Sequence, residues 1–190
     1  MDRLLVGVSG SVAVLNLPSY LAALRADLAK EVRVIMTSQA ARMLPPSTVA
    51  LLCDGVFLDR EPTAEKGPGH VELARWGEIF VVLPATANGI GQAANGLGSN
   101  LLTTTILASP RPVVFCPNVN EVMWNKPAVQ RNVETLRADG HMVLEPEVAS
   151  AYEVDSGEVR ESLVIPEPTQ LVEQLRDTHR RQKPGFQTEQ

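Results

Sequence analysis

Ile79-Phe80-Val81-Val82-Leu83-Pro84-Ala85-Thr86-Ala87-Asn88 and, further on, Pro112-Val113-Val114-Phe115-Cys116-Pro117-Asn118-Val119-Asn120 share one pattern. Each is an unbroken apolar run that ends in a proline and a short amide-bearing loop. Runs of this length without polar alternation read as strands buried on both faces of a parallel sheet. Open α/β sheets bind their ligands just outside the carboxyl ends of such strands. The two loops therefore mark a small-molecule site.

Working outward, Leu4 to Val8 is a first buried strand closed by Ser9-Gly10-Ser11, and Val32 to Met36 is a second that opens into Thr37-Ser38. Met142 to Leu144 is a further strand. The spacing of Leu17, Leu21, Leu24 and Leu28 predicts a helix after the first strand, with Pro18 in its first turn. Residues 39–52 read as helix broken by Pro45-Pro46, and 59–69 as a loop rich in Pro and Gly. Helices are also expected at 70–75, 88–94, 101–107, 126–138 and 169–180, the fourth of these five segments stopped by Asp139-Gly140. Strands alternating with helices imply a three-layer α/β fold with a central parallel sheet. The pattern changes at 150–166, where Tyr152-Glu153-Val154 and Leu163-Val164-Ile165 flank a polar tip, as in a hairpin or flap. Residues 1–181 are expected to form one domain and 182–190 a disordered tail.

The chain has 190 residues, a net charge of −5 and a pI near 5.2, with no long basic run, which argues against a nucleic-acid surface. No apolar stretch approaches the roughly 20 residues needed to span a bilayer, and the N-terminus does not read as a signal peptide. Cys53 and Cys116 give neither a disulfide framework nor zinc spacing, so no metal is expected and both thiols read as core. The expectation is a soluble cytoplasmic protein without nucleic-acid or membrane partners.

Each loop has a functional and a plain reading. The Gly10-Ser11 turn is a seat for a phosphate at a helix start, or simply a tight turn. It supplies only the GxxG half of a dinucleotide fingerprint, and no acidic ribose-binding residue ends the next strand. The small residues of Pro84–Asn88 let a planar ring approach the backbone, while Asn88 equally suits a helix cap. Asn120 offers a neutral amide to a carboxylate, or stabilises a turn. Met123 and Trp124 read as packing. His70, beside Gly67-Pro68-Gly69, suits acid/base work or a structural role.

Taken together, Gly10-Ser11-Val12, His70-Val71-Glu72-Leu73-Ala74-Arg75-Trp76, the Pro84–Asn88 loop, Asn100-Leu101-Leu102-Thr103 and Pro117–Trp124 resemble the homo-oligomeric flavin-containing cysteine decarboxylases over about residues 3–166. The resemblance is strongest to the epidermin-type peptidyl-cysteine decarboxylases. It implies a Rossmann-like (flavodoxin-like) fold, bound FMN (FAD in some members), and trimers often assembled into dodecamers with the flavin at a subunit interface. It also implies an acid/base role for His70 and a substrate-carboxylate role for Asn120. Flavin contacts are implied at Gly10, Ser11, Val12, Ser38, Pro84, Thr86, Ala87, Asn88 and Thr103. Substrate contacts are implied at Asn120, Val119 and Met123, and at Asp155, Ser156 and Gly157 of a C-terminal clamp hairpin. The chain departs from the family at Thr86 and Val119, where Ser and Met are usual; Thr keeps the hydroxyl, and Val shortens an apolar contact.

A second departure decides the reaction. In the phosphopantothenoylcysteine enzymes of the family a clamp cysteine helps return electrons to the decarboxylated intermediate. Here no cysteine follows Cys116. Hydride removal from Cβ of a terminal cysteine gives a thioaldehyde, which loses CO2 as a β-keto acid does. Without a returning thiol the product stays oxidised as an enethiol, and the reduced flavin must be reoxidised externally. The resemblance thus implies oxidative decarboxylation of the C-terminal cysteine of a ribosomally made precursor peptide. Phosphopantothenoylcysteine decarboxylation is the alternative. A non-catalytic regulatory flavoprotein is a third, disfavoured by the short mixed tail and by His70 and Asn120.

Overall fold

The computed structural model describes residues 1–59, 67–153 and 157–182. Six parallel strands build the central sheet: β1 (Arg3–Val8), β2 (Glu31–Met36), β3 (Gly55–Leu58), β4 (Ile79–Ala85), β5 (Val113–Pro117) and β6 (Met142–Val143). Their spatial order is β3-β2-β1-β4-β5-β6, so the chain reverses direction across the sheet between β1 and β4. That pair is the topological switch point, where crossovers diverge and leave a crevice. Without the short edge strand β3, the order is that of flavodoxin.

The pleat sorts side chains to two faces. Leu4, Val6 and Val8 join Val32, Val34, Met36, Val81, Leu83 and Cys116 in one cluster. It is covered by Leu17, Leu21 and Leu24 of α1 (Leu17–Asp27) and by Leu171, Val172 and Leu175 of α9 (Pro168–Gln182). Leu5, Ile35, Phe80, Val82 and Phe115 face the other way. Their cover is Leu73 of α4 (His70–Trp76), Ile90 of α5 (Ala87–Ala94), Leu102 and Ile106 of α6 (Leu101–Leu107), and Val133 and Leu136 of α8 (Pro127–Ala138). Burial on both faces is what the unbroken apolar runs require. The β4–β5 register shifts between Val82 and Ala85, where Pro84 has no N–H to give the ladder; the Leu83–Pro84 peptide is cis.

Several elements differ from expectation. The edge strand β3 was not foreseen in the sequence: it has four half-buried residues and follows a short helix, α3 (Pro46–Val49). The helix before it, α2, spans Ser38–Met43, and the break falls at Pro45-Pro46 as expected. A 3-10 turn (Val12–Asn16) precedes α1, and a four-residue α7 (Glu121–Trp124) follows β5. Gly140 ends α8 at φ +88, a left-handed conformation that suits glycine.

The hairpin is present, and its first strand starts earlier than expected. Strand β7 (Glu147–Glu153) pairs antiparallel with β8 (Glu158–Val164), apart from the main sheet. Gly157 belongs to its turn, while Asp155 and Ser156 lie outside the described residues, as do 183–190 of the expected tail. Tyr20 Oη donates to the Pro166 carbonyl at 3.0 Å and ties the hairpin exit to α1. Among the described residues no helix is long and apolar enough to cross a membrane.

Candidate active site

At the switch point the loop after β1 meets the loop after β4. Ser9, 5% exposed, bridges them: its hydroxyl donates to the Pro84 carbonyl at 2.8 Å and accepts from Thr86 N at 3.0 Å. A cavity of about 610 Å3 opens above this bridge, within the range of small-molecule and cofactor sites.

Its floor is made of helix starts. Thr86 caps α5 by accepting from Gly89 N at 3.2 Å, so the cap is Thr86 and not Asn88. Thr37 caps α2 by accepting from Ala40 N at 3.3 Å. Asn100 and Thr103 form a reciprocal capping box at α6, with Asn100 Oδ1 accepting from Thr103 N at 2.9 Å and Thr103 Oγ1 from Asn100 N at 3.1 Å. These first turns aim the positive ends of peptide dipoles at the cavity. Gly10 is dictated by packing: a Cβ there would stand 2.3 Å from Gln39 Cγ and 3.1 Å from the Gln39 backbone carbon.

The opposite wall comes from the exit of β5. Asn120 caps α7, its Oδ1 accepting from Val122 N at 2.9 Å, which leaves its NH2 as the group on offer. Asn118 accepts a hydrogen bond from Ser11 Oγ, linking this wall to the β1 loop. Asp59, just past β3, accepts from Leu101 N at 2.5 Å and from Ser38 Oγ at 3.4 Å. Among the described residues it is the one carboxylate of the lining, which holds neither Lys nor Arg.

Of the residues singled out from the sequence, Gly10, Ser11, Val12, Ser38, Thr86, Ala87, Asn88, Thr103, Val119, Asn120 and Met123 border this cavity. Pro84 does not; it is buried behind the loop and acts through its carbonyl on Ser9. Thr103 is 2% exposed, and its hydroxyl is engaged within the capping box. His70 does not border the cavity either. It is exposed at the first position of α4, whose start lies at the carboxyl edge of the sheet because α4 leads back into parallel strand β4. Gly157 is likewise outside the lining. Sequence reasoning missed Ser9, Asp59, Asn100 and Asn118 as site residues. Asn100 lies in a motif already singled out, and Asn118 follows a strand, so position alone could have flagged both. Cys116 is fully buried in β5, and burial pushes its thiol pKa up, which makes it an inert core residue.

A profile of the Flavoprotein family matches residues 1–178. The chain belongs to the flavoprotein family. Mersacidin decarboxylase of Bacillus sp. (strain HIL-Y85/54728) resembles this flavoprotein with 43% identity over 155 residues, 82% of this chain and 79% of the relative. The bifunctional coenzyme A biosynthesis protein CoaBC of Vibrio vulnificus (strain YJ016) is 34% identical over 172 residues; these are 90% of this chain and 42% of CoaBC. Among solved structures, a histidine-to-asparagine variant of EpiD complexed with substrate peptide DSYTC superposes with a TM-score of 0.83, at 26% identity, over 91% of this flavoprotein and 98% of that chain. The FMN-dependent cysteine decarboxylase SpaF gives a TM-score of 0.73 at 37% identity, over 84% of this chain and 89% of that one.

Proposed function

We propose that this flavoprotein catalyses the FMN-dependent oxidative decarboxylation of the C-terminal cysteine of a ribosomally made precursor peptide, giving an aminoenethiol in peptide-antibiotic biosynthesis. One observation carries the reading: a single cavity joins the β1 and β4 loops to the oriented amide of Asn120, in a chain without a cysteine after Cys116.

The residues present fit a flavin. Small side chains at Gly10 and Ala87 leave room for a ring against the backbone, and Ser11, Ser38, Thr86 and Asn88 offer hydroxyl and amide partners. A phosphate suits the helix starts, where N–H groups converge. A bound flavin supplies a hydride acceptor for the cysteine Cβ. Everything else falls to the chain: the loops hold and orient the cofactor, Asn120 Nδ2 donates to the substrate carboxylate, and His70 takes and returns the proton. Val119 and Met123 shape the apolar part of the substrate seat, and Asp155, Ser156 and Gly157 add substrate contacts.

Residues 1–181 act as one domain in the cytoplasm, assembled as a homotrimer or dodecamer. Two features support assembly: Val12, Leu15, Val122 and Met123 expose apolar surface in the segments that border the cavity, and His70 stands outside the cavity of its own chain. An interface between copies brings such a histidine to the substrate.

Mass spectrometry after incubation with a Cys-terminal peptide tests the reading. Loss of CO2 together with two hydrogen atoms is expected. The likeness to CoaBC supports a second activity, and loss of CO2 alone from phosphopantothenoylcysteine would establish it in place of the first.

A further inference from the structure

Asn118 and Asn120 stand two residues apart on the extended exit of β5, and this spacing puts them on one side of the chain. Val119 between them turns inward and is buried. Both asparagines border the cavity, and both have their side-chain oxygens committed: Asn118 Oδ1 to Ser11 Oγ, Asn120 Oδ1 to Val122 N. Ser11 Oγ accepts from Ala13 N at 3.3 Å and donates its proton to Asn118 Oδ1. An asparagine has one acceptor oxygen and two N–H donors. Two NH2 groups therefore remain, with no partner among the described residues.

Paired neutral donors match a carboxylate, which only accepts and has two oxygens to satisfy. They also suit the reaction. Decarboxylation moves negative charge off the carboxylate, so a Lys or Arg there would stabilise the ground state more than the transition state. Amides locate the group without that penalty, and among the described residues the lining holds neither Lys nor Arg.

We infer that Asn118 is a second carboxamide donor to the terminal carboxylate of the substrate, acting beside Asn120 and oriented by Ser11. This rests on the decarboxylase reading above and adds a specificity residue to it.

The test uses flavin-loaded protein in a His70→Asn background and a labelled Cys-terminal peptide, prepared as free acid and as C-terminal amide, with binding read by anisotropy. Asn118→Ala and Asn118→Asp are each expected to cut the preference for the acid about tenfold or more. Affinity for the amide peptide and flavin absorbance per chain stay unchanged. The inference is overturned by an intact acid preference in both variants, or by equal losses for acid and amide. Loss of flavin in place of peptide would also overturn it, assigning Asn118 to the cofactor. If Asn120→Asp abolishes the preference while both Asn118 variants keep it, only this inference fails. If the His70→Asn protein carrying both asparagines does not distinguish acid from amide, the decarboxylase reading falls as well.

Discussion

Ser9 Oγ accepts from Thr86 N at 3.0 Å, so a buried hydroxyl at the end of β1 fixes the first residue of the loop after β4. The same hydroxyl donates to the Pro84 carbonyl. Ser9→Ala removes both bonds and leaves the Thr86 N–H without its partner. A loss of about 1–3 kcal/mol is expected, read as a lower melting temperature together with weaker flavin retention. Unchanged flavin content would mean that the loop holds its place without the bridge.

Gly10→Ala is expected to empty the cavity while leaving the fold intact. The new Cβ falls 2.3 Å from Gln39 Cγ and 3.1 Å from the Gln39 backbone carbon, so the first turn of α2 must move. Overpacking of this kind costs about 1–3 kcal/mol, and here the displaced residues also line the site. Circular dichroism should remain that of the parent while visible flavin absorbance is lost. Full flavin retention would show that α2 yields freely.

His70→Asn should abolish turnover and leave the protein yellow. The side chain is exposed and borders no part of its own chain's cavity, so its removal disturbs neither packing nor the cofactor loops. Colourless protein on this change would assign His70 a structural role.

His141 gives a pH dependence with a definite sign. Its Nδ1 accepts from Val113 N at 3.0 Å, its ring meets Phe115 edge-on, and burial lowers its pKa below the ordinary 6.5. The folded state therefore requires the neutral ring, while the unfolded chain takes up a proton as pH falls past about 6.5. Stability contributed by this residue is present above that pH and declines below it. In His141→Asn an amide oxygen replaces Nδ1 and does not titrate. Its melting temperature should fall less than the wild type's between about pH 7 and pH 5. Equal slopes would remove His141 from the acid sensitivity.

The central strands were legible because β1, β4 and β5 are nearly continuous apolar runs and β2 is apolar apart from Glu31 and Arg33, so strands covered on both faces carry little polar period to hide them. Strand β3 was not legible: Gly55–Leu58 is short, half-buried and at the sheet edge, so its hydrophobic signal is weak. The start of β7 was missed because Glu147-Val148-Ala149-Ser150 makes its contacts mainly with β8, and no buried face marks it. At the site, motif loops such as Gly10–Val12 and Thr86–Asn88 announce themselves by small and hydroxyl residues at strand ends. Ser9 and Asp59 do not, because their roles exist only through partners distant in sequence, Thr86 and Leu101. The participation of Asn118 likewise depends on Ser11, far away in the chain.

Among the described residues the lining carries no formal positive charge. A dianionic guest is then gripped by peptide dipoles and hydroxyls at contact distance, not by ions acting across water. Dissolved electrolyte attenuates long-range attraction between exposed charges and hardly touches such short contacts. The colour of the purified flavoprotein should therefore survive washing in concentrated sodium chloride, where a site built on lysines would bleach.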